Sequence, residues 1–147
     1  MASLTCLLAA TLLAGDVPRD QIQRDDLEQL QGTWKVERVE MGGQAMPAGL
    51  FTEMRMQFEG NSLSIMLDKA SKQKSRFTLI DGMQPPGIDI EELEGTNKLV
   101  KGIYLLEDDT LKICMEEGNG GQNARPKNFD TKGGERVVLI VLKRVQK

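Results

Sequence analysis

The sequence predicts an all-β domain: an antiparallel up-and-down barrel of about eight strands, preceded by a short helix. Three observations carry this. Apolar and polar residues alternate with a period of two over several short segments, the pattern of strands with one buried face. Connections of hairpin length join these segments, with no long helix to serve a parallel crossover. The first segment opens on Gly32-Thr33-Trp34 and the last ends on Lys143-Arg144. An indole and a cation thus stand at the two ends of the sheet, where closure would bring them together. Closure also removes exposed sheet edges; a two-sheet sandwich is the competing architecture.

The elements follow in order. Residues Leu4 to Gly15 (LTCLLAATLLAG) are apolar and uncharged. That length suits the hydrophobic part of a signal peptide and is too short to span a bilayer. Ala14 and Gly15 offer a cleavage point before Asp16, although Met1-Ala2-Ser3 supplies no Lys or Arg. Residues 1–15 are therefore expected to be a leader, and the protein to be exported to the periplasm or beyond. Residues 16–31 form a polar lead-in. Asp25 with Glu28 fits a capping box, and Gly32 stands where a helix C-terminal glycine belongs, which predicts a short helix over Asp26 to Gln31.

The barrel domain covers residues 32–147. Trp34 and Val36 share a face of the first strand, and Met41-Gly42-Gly43-Gln44 is a turn. Pro47 to Phe51 is a loop with room for one helical turn. Met54, Met56 and Phe58 alternate with Arg55, Gln57 and Glu59; Glu59-Gly60-Asn61-Ser62 signals a hairpin; Leu63, Ile65 and Leu67 continue the alternation. Lys72 to Ile80 forms the next strand, with Phe77 and Leu79 inward. Its outward Lys72, Lys74 and Arg76 are expected to guard a sheet edge. Pro85-Pro86-Gly87 breaks the chain before a short strand carrying Ile88 and Ile90, and Glu94 to Asn97 is a turn. Leu99 to Leu106 pairs with Thr110 to Glu116 across Glu107-Asp108-Asp109. Gly118-Asn119-Gly120-Gly121 starts a long loop, and Phe129 anchors a short segment. Arg136 to Val145 is apolar on both faces, so its outer side is expected to be covered, with the N-terminal helix as a candidate cover.

Composition bounds the function. At 147 residues the chain holds one domain, with or without a leader. A net charge of −3 disfavours nucleic acid, and 4% aromatic content leaves few platforms for stacking bases. The chain has no histidine, which removes Ser-His-Asp and Cys-His mechanisms and imidazole metal sites. Of two cysteines, Cys6 lies in the expected leader, leaving Cys114 as a lone thiol. Eight methionines suit irregular core space.

Several segments carry a family resemblance. Leu30-Gln31-Gly32-Thr33-Trp34-Lys35-Val36, Phe58-Glu59-Gly60-Asn61-Ser62-Leu63, Gly102 to Cys114, Arg125-Pro126 with Phe129, and Leu139 to Arg144 together resemble a domain family of unknown function expanded in planctomycete bacteria. The resemblance spans Leu27 to Arg144. It implies a lipocalin-like barrel, commonly exported, with no assigned activity. Gly32-x-Trp34 and Arg144 fit the closure of true lipocalins, whereas their Thr-Asp-Tyr loop motif and inter-loop disulfide are missing.

Candidate sites follow. The inward set reads Trp34, Val36, Met54, Met56, Phe58, Leu63, Ile65, Phe77, Leu79, Ile90, Ile103, Leu105, Leu111, Ile113 and Met115. A barrel of this size either fills with side chains or holds one small ligand. If it holds one, Trp34, Met54, Met56, Phe58, Ile65, Phe77, Ile103, Leu111, Ile113 and Met115 would line the site, and Gly32, Trp34 and Arg144 would close one end. Cys114, with Lys112 nearby, is the best nucleophile, but it reads more simply as a small buried hydrophobe. The carboxylates Asp89, Glu91, Glu92 and Glu94, and Glu107, Asp108 and Asp109, lack the spacing of a calcium loop and read as turn chemistry. Gly118 to Gly121 lacks the lysine and hydroxyl of a phosphate loop. The expectation is an exported, non-catalytic binding module for a small apolar ligand, with no cofactor, metal, nucleic acid or membrane span. The alternative is an envelope protein–protein interaction domain acting through the loops Met46–Phe51 and Glu117–Asn128.

Overall fold

The computed structural model describes residues 19–95, 98–116, 125–133 and 136–146. The expected leader and the glycine-rich stretch Gly118 to Gly121 lie outside the described residues. Alternation becomes strand at each expected place: β1 (Gly32–Met41), β2 (Gln44–Ala45), β3 (Arg55–Glu59), β4 (Ser62–Met66), β5 (Lys72–Ile80), β6 (Gly87–Glu92), β7 (Leu99–Glu107), β8 (Thr110–Glu116) and β9 (Val137–Arg144). All ladders are antiparallel and join successive strands, with β1 pairing β3 past the short β2; β1 also pairs with β9, which closes eight strands into a barrel. The two-residue β2 folds back on the end of β1. The all-β, up-and-down barrel expected from the alternation is the fold observed.

The closing ladder sets Trp34 opposite Arg144 and Met41 opposite Val138, with a bulge between Val36 and Arg38. The bulge shifts the inward parity of β1, so Val39 joins the core after Trp34 and Val36. β5 lies between β4 and β6, not at an edge. Lys72, Lys74 and Arg76 therefore cover the barrel exterior, where Arg76 reaches Glu91 at 4.0 Å.

Helix α1 (Arg19–Leu30) is longer than the predicted Asp26–Gln31 and ends one residue earlier. Asp25 and Glu28 lie within it, so their spacing does not mark its start. Gly32 follows with φ 117°, a conformation open to glycine. Leu27 and Leu30 pack against the barrel core, so the C-terminal half of α1 corks one end.

A second apolar cluster lies outside the barrel. Ile103, Cys114 and Leu139 are buried there, with Phe129, Val137 and Val141 packed on them. The outer cover of β7, β8 and β9 thus includes the segment carrying Phe129, not α1. Arg125 in this segment reaches Asp89 Oδ1 at 2.7 Å and donates to the Gly102 carbonyl at 2.7 Å. Gly87 makes room for that guanidinium: a Cβ there would stand 2.8 Å from Arg125 Nη1. Thr131, fully buried, donates to Glu40 at 2.6 Å and accepts from the Gly43 amide at 3.0 Å, pinning the segment to the β1–β2 turn.

Candidate functional site: a half-filled barrel

The barrel interior divides in two along its axis. In the half next to α1, large side chains fill the space. Trp34, Leu63, Leu111, Ile113 and Leu142 are fully buried, and Phe58 and Phe77 meet edge to face at 5.1 Å between ring centres. Trp34 Nε1 donates to the Leu30 carbonyl at 2.9 Å. Arg144 stacks on the indole with Cζ 4.3 Å from the ring centre. Its Nη1 donates to the Gln31 carbonyl at 3.0 Å, Nη2 donates to the Gln29 carbonyl, and Nε lies 3.4 Å from Asp109 Oδ1. Tyr104 donates to Asp26 at 2.6 Å. Burial, reinforced by that bond, raises the phenol far above its ordinary range.

The other half is hollow. A cavity of about 230 Å³ begins one inward step beyond the filled layer. β1 contributes Val36 and Val39, and β3 with its lead-in contributes Met54 and Met56. β4 and the turn after it contribute Ile65 and Leu67; β7, β8 and β9 contribute Val100, Met115 and Ile140. The lining departs from apolar on one side only, where Gln73 and Ser75 of β5, Glu92 of β6 and Lys98 before β7 face the space. The mouth lies among the loops away from α1.

Along β5 the inward residues run Gln73, Ser75, Phe77 and Leu79. The first two line the cavity and Phe77 belongs to the filled half. Ser75 therefore sits at the floor. It is 1% exposed, and its hydroxyl has no hydrogen-bond partner in the protein. Such a group costs on the order of 1–3 kcal/mol when left unpaired.

Of the residues expected to line a site, Met54, Met56, Ile65 and Met115 border the cavity. Trp34, Phe58, Phe77, Leu111 and Ile113 lie in the filled half and do not reach it. Ile103 is a correction: it points outward into the second cluster. On β7 the inward residues are Val100, Tyr104 and Leu106, one position away from the expected Ile103 and Leu105. The run Gly102-Ile103-Tyr104-Leu105-Leu106 is apolar on both faces, so alternation cannot fix its parity. Sequence reasoning missed Gln73, Ser75, Glu92 and Lys98. A signal was present: stepping back by two from Phe77 lands on Ser75 and Gln73, polar residues at interior positions.

The remaining candidates are dispersed. Cys114 is fully buried in the outer cluster, and burial, with Glu40 adding to it, pushes its thiol up to about 11. Glu40 itself is held below its usual range by hydrogen bonds from Thr131 and then Arg38. Asp89 is tied to Arg125 and Asp109 to Arg144. Among the described residues no group of three or more Cys, Asp or Glu is placed to share a metal ion, and no helix is long and apolar enough to cross a membrane. A larger hollow of about 690 Å³ opens on the surface beside Gly32, Gln57 and Val145. Three of its polar residues are already engaged: Gln31 with Gly60, and Arg144 with Asp109. Comparison of the chain with protein-family models, with curated proteins and with solved structures returned no match.

Proposed function

We propose that this protein is a non-catalytic binding module that holds one small, largely apolar molecule in the hollow half of its barrel. The observation that carries this is the cavity itself, walled by residues from every barrel strand and by three methionines that can adapt to a guest. Its volume exceeds the roughly 150 Å³ that accommodates benzene in an apolar protein cavity. It falls below the roughly 300–1,000 Å³ of drug-sized sites, so the guest is small. The division of labour supports the reading: Arg144, Trp34 and α1 hold one end shut, which leaves the other free of structural duty. Export, the resemblance to a lipocalin-like family and the absence of catalysis belong to the same proposal.

The test is displacement of an environment-sensitive hydrophobic dye, with native mass spectrometry to count bound molecules. Wild type is expected to take up one equivalent. Met115→Trp, which fills the hollow from β8, is expected to weaken uptake at least tenfold while thermal unfolding stays cooperative. Equal uptake by both proteins would reject the reading.

A second reading is a protein-interaction domain acting through the loops at the mouth. Leu50, Leu67 and Leu93 are 65%, 46% and 42% exposed on three such loops. Replacing all three with serine and finding the same captured partners would exclude it.

A further inference from the structure

We infer that the guest of this cavity carries a neutral hydrogen-bonding group, a hydroxyl or carbonyl oxygen, and that this group enters first to bond Ser75. The inference rests on the binding reading above and adds the chemistry of the ligand.

The argument begins with the position of one hydroxyl. Ser75 stands at the floor, between Gln73 nearer the mouth and Phe77 in the filled half. Its cross-strand neighbours are Leu63 and Glu92. A buried hydroxyl normally finds a partner within the protein, since an unpaired one costs free energy that valine or alanine would not. Ser75 has none, although it is 1% exposed. No protein group bonds the hydroxyl, and the lining it belongs to includes the apolar Met56, Ile65 and Ile90. Ser75 borders the cavity, so a guest there could supply the partner that the protein does not.

The charge of the incoming group follows from what lies beside Ser75. The two charged residues of the lining, Glu92 and Lys98, are both partly exposed. The Glu92 amide donates to the Lys98 carbonyl at 2.9 Å, which fixes these two positions next to each other across the turn. They carry opposite charges, so the lining bears no net charge to select an ion. An ionised head group would meet Glu92 and Lys98, which carry opposite signs, so neither sign is selected, and against the Met56, Ile65 and Ile90 wall it would be desolvated. A neutral oxygen meets no such penalty and can accept from or donate to Ser75. The rest of the molecule then lies against the methionine and aliphatic wall.

The experiment compares p-cresol with p-xylene, molecules of one shape that differ by a hydroxyl in place of a methyl. Both are titrated into wild type, Ser75→Ala and Ser75→Cys, with methyl resonances of Met54, Met56 and Met115 locating the bound probe. Ser75→Cys nearly conserves volume and guards against a folding defect in the alanine variant. The expected result is a loss of p-cresol affinity of about threefold to tenfold in both variants, the range of one neutral hydrogen bond. Affinity for p-xylene should change by less than about twofold, as a purely steric site would predict. If both probes bind and the substitutions shift them alike, or shift neither, the assignment of Ser75 is overturned while the cavity remains a binding site. If neither probe perturbs the three methionines, the binding reading falls and this inference with it.

Discussion

Arg144 ties two regions that are remote from it in sequence: the end of α1 with the adjoining indole of Trp34, and Asp109 in the β7–β8 turn. A cation on an aromatic face contributes about 0.5–2 kcal/mol, and charged hydrogen bonds to carbonyls add about 1.5–3 kcal/mol each when well formed. Partial exposure of Arg144 reduces both. Arg144→Ala is expected to lower stability by about 2 kcal/mol in urea unfolding followed by fluorescence of Trp34, the single tryptophan. Arg144→Lys should recover less than half, because an ammonium cannot stack flat and reach two carbonyls together. Full recovery by lysine would show that charge alone matters. This contact was legible in the sequence, since Trp34 and Arg144 are the termini of the first and last apolar runs. Ser75 was harder to see, because a serine among Lys72, Lys74 and Arg76 looks like part of a polar face. Only the parity fixed by Phe77 and Leu79 turns it inward.

The elements that sequence patterning described least well are those without a period. Helix α1 has few apolar residues, so its length depends on packing of Leu27 and Leu30 more than on its own pattern. The segment from Arg125 to Gly133 has no regular structure, yet it buries a cluster on the barrel exterior. Its existence was signalled by β9 being apolar on both faces; its identity was not, because any apolar segment would serve. That cover makes the fold sensitive to alkali. Cys114 beneath it has a thiol raised from 9.0 to about 11, so the folded state keeps a proton that the unfolded chain loses. The associated stability is whole below about pH 9 and is lost as pH rises toward about 11. The loss is about 2–3 kcal/mol. Cys114→Ala should show a shallower decline over that interval than wild type, measured by urea midpoints at each pH. Parallel declines would mean that the thiol is not held protonated by its cover.

At the scale of the whole molecule, the barrel is a solid joined to a container. Leu63 and Ile65 are adjacent inward residues of β4, yet one is sealed in the filled half and the other borders the cavity. Leu63→Ala is expected to cost about 3–5 kcal/mol, because transfer and cavity penalties both apply. Ile65→Ala should cost about 1–2 kcal/mol, since it only widens a space already present. Equal costs by urea unfolding would mean that the interior is packed throughout. Closure and strand order were readable from alternation and short turns. The division into halves was not, because a methionine or isoleucine has the same pattern whether it touches a neighbour or an empty volume. Only side-chain sizes summed around the ring decide that.

The seam between β1 and β9 also dictates when the protein can be finished during synthesis. Arg144 bonds the carbonyl of Gln31 across 113 positions of chain. Until β9 has left the ribosome, β1 and β8 each lack a neighbour and offer bare backbone to any passing strand. A nascent chain of this design is at greatest risk of aggregating while β9 is still withheld, and a truncation that removes β9 would leave it permanently in that unsealed condition.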